Sequence, residues 1–251
     1  MKKTLRKWTL PLLSLAASGV ATMSYADDFP LAINAAPLSC LLVPSSEVEL
    51  SSEVQGVIKD IRVQRGDYVK KGQVVMTLRS ALETAALNTV KARLEFATRK
   101  VERNTDLFMK QLISENEQDE MLTELRLAAY QLKEARVRLG LRETRSPISG
   151  VVVERIKDPG EFVDETPFLR VVSLNPIHAE VVLPAELYGS VKKGESVSFV
   201  TLGSTQQHKG KIIIIDPIID AASNTFAITI SLDNKAGTLS AGLRCQADFG
   251  Q

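Results

Sequence analysis

Two histidines, His178 and His208, are the only imidazoles in this chain of 251 residues, and they are the first candidates for chemistry. A transition-metal site needs three or four nitrogen, sulfur or carboxylate ligands at characteristic spacings. The two histidines lie far apart, and the five methionines are scattered. We therefore expect both histidines to be solvated residues on strands, and we predict no metal site.

Catalytic groups are also poorly represented. An enzyme needs a nucleophile, a base and a charge-stabilising group that converge on one site. Asp216, Asp220 and Asp233 all fall at predicted strand ends or turns, where aspartate is common because its side chain hydrogen-bonds to the local backbone. We predict that the chain is not an enzyme and uses no cofactor.

The cysteines offer a different kind of chemistry. Cys40 and Cys245 are the only two, and they lie towards opposite ends of the chain. In an oxidising compartment a disulfide could join the two terminal strands. Two unpaired buried cysteines fit the sequence nearly as well.

The first 26 residues are typical of a secretory signal peptide. Basic residues in the first seven positions precede an apolar stretch from Leu10 to Val20, and Ser24-Tyr25-Ala26 has the small-x-small pattern of a cleavage site. The apolar stretch is about half of the ~20 residues that a spanning helix needs, so we favour cleavage after Ala26 over an uncleaved anchor. Cleavage changes 31 basic and 30 acidic residues to 27 and 30, a net charge of −3. Nothing in this balance predicts a nucleic-acid surface.

The longest predicted element covers residues 80–144, which contain no proline and no glycine before Gly140. Apolar residues recur there at alternating spacings of four and three, the pattern of two helices packed against each other. At ~1.5 Å per residue an antiparallel hairpin of this length reaches roughly 45 Å, too far to lie flat on a small β-rich remainder. The two predicted stripes are Val90, Leu94, Ala97, Val101, Asn104 and Phe108, and Met121, Leu125, Ala128, Leu132, Ala135 and Leu139.

An internal repeat flanks the predicted hairpin. The segment Gly56-Val57-Ile58 is matched by Gly150-Val151-Val152, and Gly66-Asp67-Tyr68-Val69 by Gly160-Glu161-Phe162-Val163, both at a spacing of 94 residues. A repeat at constant spacing is hard to obtain by chance. Each half is too small to bury its own apolar face, so we predict that the halves pack on each other as one β-sandwich. The repeated glycines, Gly56, Gly66, Gly150 and Gly160, are predicted to be structural turns.

The remaining C-terminal sequence returns to β-structure. It contains five apolar runs and a short helical segment near residues 184–190. With an early strand around Cys40 these make six strands, enough for a closed barrel without exposed edges. The predicted fold is mainly β with an inserted α-helical hairpin: a signal peptide (1–26), an N-terminal arm and first barrel strand (27–46), a split lipoyl-like β-sandwich (47–79 and 145–173) around the hairpin (80–144), and a six-stranded β-barrel (174–251).

This order of modules resembles the membrane fusion proteins of the HlyD-like, resistance-nodulation-division (RND) type, the periplasmic adaptors of tripartite efflux pumps. The resemblance covers residues 38–249 and rests on the repeated glycines, on the segment Ser146–Val152, and on Asp216-Pro217 and Asn224-Thr225 in the barrel. It implies a periplasmic protein that binds an inner-membrane efflux transporter and a TolC-like outer-membrane channel, and that forms a homo-oligomer, expected to be a hexamer. The sequence ends directly after the barrel, so we expect it to lack the membrane-proximal domain of many such adaptors.

The resemblance also implies a binding site at the hairpin tip. Arg103, Leu107 and Ser114 match the spacing of the arginine, leucine and serine with which these adaptors meet the outer-membrane channel. Arg103 and Leu107 are four residues apart, so they share a helix face, and neither belongs to the packed stripe.

The turn itself adds further candidates. Ser114 and Glu117 have the sequence of a capping box, so capping is the first role predicted for Ser114 and channel contact the second. Leu112 and Ile113 have no hydrophobic-staple partner, because Gln118 occupies that position. They are predicted to contact the channel.

Other functions fit parts of the sequence. An adaptor for an ABC-type exporter is one, and a secreted module whose hairpin binds another helical partner is a second. A lipoyl or biotinyl carrier is disfavoured, because its modified lysine should lie on a tight turn where this chain has the hairpin. The exported substrate is not determined, because an adaptor need not bind it specifically.

Overall fold

The computed structural model describes residues 38–249. The predicted signal peptide, its cleavage site and the N-terminal arm before Leu38 lie outside these residues. The elements in chain order are β1 (Leu38–Leu50), β2 (Gly56–Ile61), β3 (Tyr68–Val69), β4 (Val74–Leu78), α1 (Ala81–Met109), α2 (Glu115–Gly140), β5 (Glu143–Arg145), β6 (Gly150–Arg155), β7 (Phe162–Val163), β8 (Leu169–Pro184), β9 (Ser196–Thr201), β10 (Gln207–Ile215), β11 (Thr225–Leu232) and β12 (Arg244–Asp248), with a short 3₁₀ turn at Ala185–Leu187.

Helices α1 and α2 form the predicted antiparallel hairpin. Their extensive contacts are with each other. Every member of the two predicted stripes is buried or half-buried, and the buried members are Ala97, Met121, Ala128 and Leu132. The prediction of two facing stripes is therefore confirmed. At ~1.5 Å per residue the 29-residue first arm extends about 43 Å.

Polar contacts hold the hairpin at two levels. Midway, the Lys100 ammonium lies 2.9 Å from the Glu124 carboxylate on the opposite arm. At the base, Arg142 pairs with Glu83 at 2.6 Å and also donates to the carbonyl of Gln55 at 3.0 Å. The Arg142–Glu83 pair is mostly shielded from solvent, so Arg142 connects both arms to the sandwich.

The two repeats form one module and share an equivalent backbone hydrogen bond. The amide of Gly66 donates to the Val152 carbonyl at 2.8 Å, and the amide of Gly160 donates to the Ile58 carbonyl at 3.0 Å. The two bonds are equivalent, because Ile58 and Val152 are 94 residues apart, as Gly66 and Gly160 are. Both halves contribute to a single core, as predicted, with Leu50, Ile58, Ile61, Val63, Val69, Val75, Met76, Leu78, Val152, Val163, Phe168, Leu169 and Val171.

The sandwich sheets exchange strands between the halves. One sheet has the order β5-β4-β2-β7, so it contains β7 from the second half. The other sheet ends in β8-β6-β3 and therefore contains β3 from the first half. Strands β3 and β7 are the terminal strands of their sheets, and neither half could form its sheet alone.

Six strands close the predicted barrel in the order β1-β12-β9-β10-β11-β8, and the pairing of β1 with β8 completes the ring. Alternate residues of each strand point into a continuous apolar core, in which Phe199, Leu42, Ile177, Ile212, Ile228 and Ile230 are among the largest buried side chains. Cys40 and Cys245 lie opposite each other on β1 and β12, and their sulfurs are bonded at 2.01 Å. The disulfide joins the two ends of the described chain inside this core.

Strands β1 and β8 run through both modules. Their pairing extends from Cys40 opposite Val181 to Leu50 opposite Leu169, with one register shift between Pro44 and Ser46. The module boundaries predicted at residues 46 and 173 therefore fall inside continuous strands, because the register shift places residues 174–176 of β8 opposite Ser45 without ending the pairing.

The four repeated glycines divide into two kinds. Gly66 and Gly160 occupy tight turns with φ of +94° and +96°, the left-handed region that favours glycine. Gly56 and Gly150 are wrongly predicted as turns, since each is the first residue of a strand. At Gly150 the requirement is close packing, because a Cβ would overlap the carbonyl of Val172 and lie 2.7 Å from its carbon.

We expect the substitution Gly150→Ala to destabilise the protein by about 2 kcal/mol or more, because the backbone of β8 must move to admit the methyl group. Urea denaturation of the full chain measures this change. The control is Gly140→Ala at the end of α2, where a Cβ has open space and stability should be unchanged or rise by up to about 1 kcal/mol. Equal effects of the two substitutions would contradict the packing role of Gly150.

Candidate functional site

The hairpin tip is a closed turn between α1 and α2. The amide of Lys110 donates to the Asp106 carbonyl at 3.1 Å, and the amide of Leu112 donates to the Leu107 carbonyl at 2.9 Å. Gln111 adopts a left-handed conformation with φ of 58°, which turns the chain towards the second arm. These bonds give the turn a defined shape and bring Leu107 and Leu112 together.

A capping box begins α2, as predicted. The Ser114 hydroxyl accepts from the Glu117 amide at 3.2 Å, and the Glu117 carboxylate accepts from the Ser114 amide at 2.8 Å. These hydrogen bonds lower the pKa of Glu117 from its usual 4.5, with the Ser114 backbone amide as the main cause. The carboxylate therefore remains ionised and holds the turn at neutral pH.

The predicted contact residues differ in their exposure. Arg103 and Ser114 are exposed, Leu107 is 38% exposed, and Leu112 is 67% exposed. Ile113 is half-buried, so it presents only part of its side chain. Arg103 lies one helical turn before Leu107, and its Nε donates to the Arg99 carbonyl at 3.2 Å.

One tip residue was missed from the sequence. Met109 is 77% exposed and, like Leu107, lies outside the packed stripe that ends at Phe108. The rule that selected Leu107 also selects Met109, so the signal was present. Leu107 and Leu112 form an apolar surface, named here the tip surface, with Arg103 one turn behind it. Met109 follows Leu107 by two residues in the same helix, so its side chain lies on another side of the tip.

The histidines and aspartates do not form a competing site. Both histidines lie on strands, as expected, and are half-buried. Burial lowers the pKa of His178, and His208 stacks on the ring of Phe199 at 5.3 Å. Asp220 accepts from the amides of Ala222 and Ser223, which is the turn role predicted for it. Among residues 38–249 no three histidine, cysteine, aspartate or glutamate side chains are grouped as metal ligands would be. Within the same residues, no helix is both long and apolar enough to cross a membrane.

Comparison with known families agrees with this architecture. Residues 46–173 match the CzcB-like barrel-sandwich hybrid domain, which is half of the chain. Residues 177–251 match the CusB-like β-barrel domain. This chain belongs to the membrane fusion protein family of periplasmic adaptors.

Individual relatives of the adaptor are distant. Nodulation protein NolF of Rhizobium meliloti is 27% identical over 80% of this chain and 59% of its own length. The multidrug/solvent efflux pump periplasmic linker protein MepA of Pseudomonas putida is 27% identical over 78% of this chain and 55% of its own. The adaptor thus spans between about half and three fifths of the length of these curated relatives.

A solved structure supports the fold of the adaptor. The MacA-MexA chimera that carries the Pseudomonas aeruginosa MexA α-hairpin domain superimposes with a TM-score of 0.72 at 21% identity, over 84% of this chain and 78% of that one. Family members are adaptors of RND-type efflux systems and not enzymes. The resemblance and the fold class expected from the sequence are therefore confirmed.

The tip should lose order as the pH falls. Since the folded pKa of Glu117 is depressed, its contribution is present above the unfolded pKa and is lost as the pH drops through the folded value. We expect the protection of the Ser114 and Glu117 amides, corrected for intrinsic exchange rates, to decrease between about pH 6 and about pH 3. Hydrogen exchange read by NMR measures this decrease.

Two variants make the test specific. Glu117→Gln removes the charge and should leave protection at the tip nearly independent of pH. Glu120→Gln changes an exposed residue of the same helix that has no capping bond, so the pH dependence should persist. A pH profile unchanged in Glu117→Gln would show that another group controls the turn.

Proposed function

We propose that this chain is the periplasmic adaptor of a tripartite efflux pump and links an inner-membrane RND-type transporter to a TolC-like outer-membrane channel. One observation carries the proposal. The two helices satisfy their apolar stripes within the hairpin, yet the tip surface of Leu107 and Leu112 stays exposed about 40 Å from the base. Clustered exposed apolar residues mark interaction sites more often than scattered ones do.

The chemistry of the tip suits a helical partner. The closed turn and the capping box pre-order the tip surface, which lowers the entropic cost of binding. With its Nε bonded to the Arg99 carbonyl, Arg103 keeps four of the five N–H donors of a guanidinium, and such a group recognises carboxylates or helix C-terminal carbonyls. A bundle of helix ends at the mouth of a channel presents both apolar side chains and such acceptors.

The barrel supplies a second exposed apolar surface, separate from the hairpin tip. Val182 and Ile218 are exposed apolar residues of the barrel, on β8 and in the turn after β10, and Ile214 on β10 is about half exposed. We assign this face to the inner-membrane transporter. The sandwich lies between the barrel and the hairpin along the chain, so the two surfaces can bind different partners.

Location and assembly complete the proposal. The predicted signal peptide, cleaved after Ala26, directs the chain to the periplasm, where the transporter holds it at the inner membrane. A homo-oligomer, a hexamer by family resemblance, surrounds the export path. The adaptor contributes structure and conformational coupling, with no chemical step of its own.

Deletion of the gene tests the function as a whole. We expect the deletion strain to accumulate efflux substrates, and the wild-type gene to restore export. Unchanged accumulation across drugs, solvents and metal ions would favour a secreted module with another helical partner. Photo-crosslinking from Ile214 identifies the transporter, and recovery of an ABC-type exporter would replace the RND partner.

The substitution Arg103→Asp should weaken binding of the outer-membrane channel at least tenfold without altering the fold, because it places a negative charge where a guanidinium met an acceptor. Affinity of the purified full chain for its TolC-like channel measures this loss. Lys91→Asp is the matched control, since Lys91 is an exposed residue of α1 about 18 Å further from the tip. Equal affinities of the two variants would refute the tip assignment.

A further inference from the structure

The repeated halves of the sandwich differ in one systematic way. Lys70 and Lys71 follow β3 in the first half, and the residues 94 positions later, Asp164 and Glu165, follow β7 in the second. Equivalent places in the duplicated fold thus carry two positive charges in one copy and two negative charges in the other. All four residues are exposed.

The turns that precede β3 and β7 are the same in both halves. Asp67 accepts from the amide of Gln64 at 2.8 Å, and its equivalent Glu161 accepts from the amide of Asp158 at 2.9 Å. Strand β3 pairs with the start of β6 just as β7 pairs with the start of β2. The charge pairs therefore follow equivalent strands, although the chain after them differs: Gly72 follows Lys71 with φ of +83°, whereas Thr166 donates its amide to the Asp164 carboxylate.

An aromatic ring accompanies each charge pair. Tyr68 on β3 is 63% exposed and Phe162 on β7 is 54% exposed, while the next residues, Val69 and Val163, are fully buried. We call Tyr68, Lys70 and Lys71 the basic edge, and Phe162, Asp164 and Glu165 the acidic edge. Each edge ends one sheet of the sandwich.

None of the four charged residues of the two edges forms an ion pair with the rest of the described chain. The ion pairs within residues 38–249 include none of the four charged residues. Asp164 accepts hydrogen bonds from the amide and hydroxyl of Thr166, which keep it ionised. The nearby Lys157 donates to the carbonyl of Phe162, and, after the hydrogen bonds from Thr166, its charge contributes to the lowered pKa of Asp164.

Comparison of the two halves distinguishes residues that the fold requires from residues that it does not require. A residue required by the turn recurs in both halves, as Gly66 and Gly160 do. A charge that changes sign between the halves is not required by the repeated turn, so it is available to recognise a partner. Two surfaces with exposed aromatic rings and opposite charges on one chain are complementary to each other.

We propose that the basic edge of one copy binds the acidic edge of a second copy of this chain. Tyr68 packs against Phe162, and Lys70 and Lys71 pair with Asp164 and Glu165. The partner is a second copy because the same chain supplies both halves of the contact. This contact deepens the proposed function by naming the surfaces that join neighbouring adaptors.

Charge reversal tests the proposal. Purified full-length protein should self-associate at low salt, and sedimentation velocity should show roughly tenfold or more weaker association for the variant K70E/K71E and for D164K/E165K, because attraction becomes repulsion. Higher salt should also weaken the self-association of the wild-type protein, because it screens the charges. If either variant self-associated as tightly as the wild-type protein, the proposal would be overturned.

Rescue distinguishes a specific contact from a general effect of net charge. The variant carrying all four substitutions reverses both edges, so self-association should return. An equimolar mixture of K70E/K71E with D164K/E165K should also associate, because the altered basic edge of one chain meets the altered acidic edge of the other. Failure of both rescues while thermal unfolding stays like wild type would overturn the proposal.

Crosslinking gives a readout that does not depend on charged variants. Two differently tagged full-length chains, one with Y68C and one with F162C, are expressed together and oxidised. A crosslinked mixed dimer without either same-variant dimer supports the contact. Same-variant dimers alone, or no dimer at all, would overturn it.

Export assays of the same strains keep the two proposals apart. If gene deletion does not change efflux but the mixed dimer forms, the pump function fails and the edge contact stands. If deletion abolishes efflux but K70E/K71E associates normally, the function stands and the edge contact fails.

Discussion

The structure depends on the antiparallel pairing of β1 with β8. These two strands begin in the barrel, where Leu42 and Ile177 are part of the core, and continue into the sandwich, where Leu50 and Leu169 are buried. Both modules are built on one ladder of hydrogen bonds, so the orientation of the sandwich follows from the orientation of the barrel. The disulfide between β1 and β12 closes the barrel next to this ladder. A force applied to the barrel would therefore reach the sandwich through paired backbone and not through a flexible linker.

Ion pairs connect neighbouring strands in the sandwich part of this ladder. The guanidinium of Arg170 on β8 lies 3.0 Å from Glu49 on β1 and 3.3 Å from Glu154 on β6. All three side chains are partly solvated, and such pairs add little free energy individually. One arginine on three adjacent strands nevertheless disfavours a shift in register, because a slip by one residue would move it to the opposite face of the sheet.

Patterns that are local in sequence predicted most of the fold. The hairpin stripes were assigned correctly because helical periodicity needs only neighbouring residues, and the barrel strands because each is an apolar run between turns. The continuity of β1 and β8 was missed, since Pro44 and Pro176 resemble strand ends in a linear sequence. The strand positions of Gly56 and Gly150 were also missed. Close approach of two backbones at Gly150 is a tertiary property that no short pattern encodes.

The candidate site, too, could be predicted only where its features depend on residues close in sequence. The capping box of Ser114 and Glu117 was predictable because its partners are three residues apart, and the exposure of Leu107 because a stripe defines what lies outside it. The half-burial of Ile113 depends on the shape of the turn, which Gln111 sets through its left-handed backbone. Leu107 and Leu112 come together only because the turn closes with a hydrogen bond between their backbones. A turn ordered in this way holds apolar side chains in water where a flexible loop would collapse onto itself, and that order makes the tip a preformed surface for a partner.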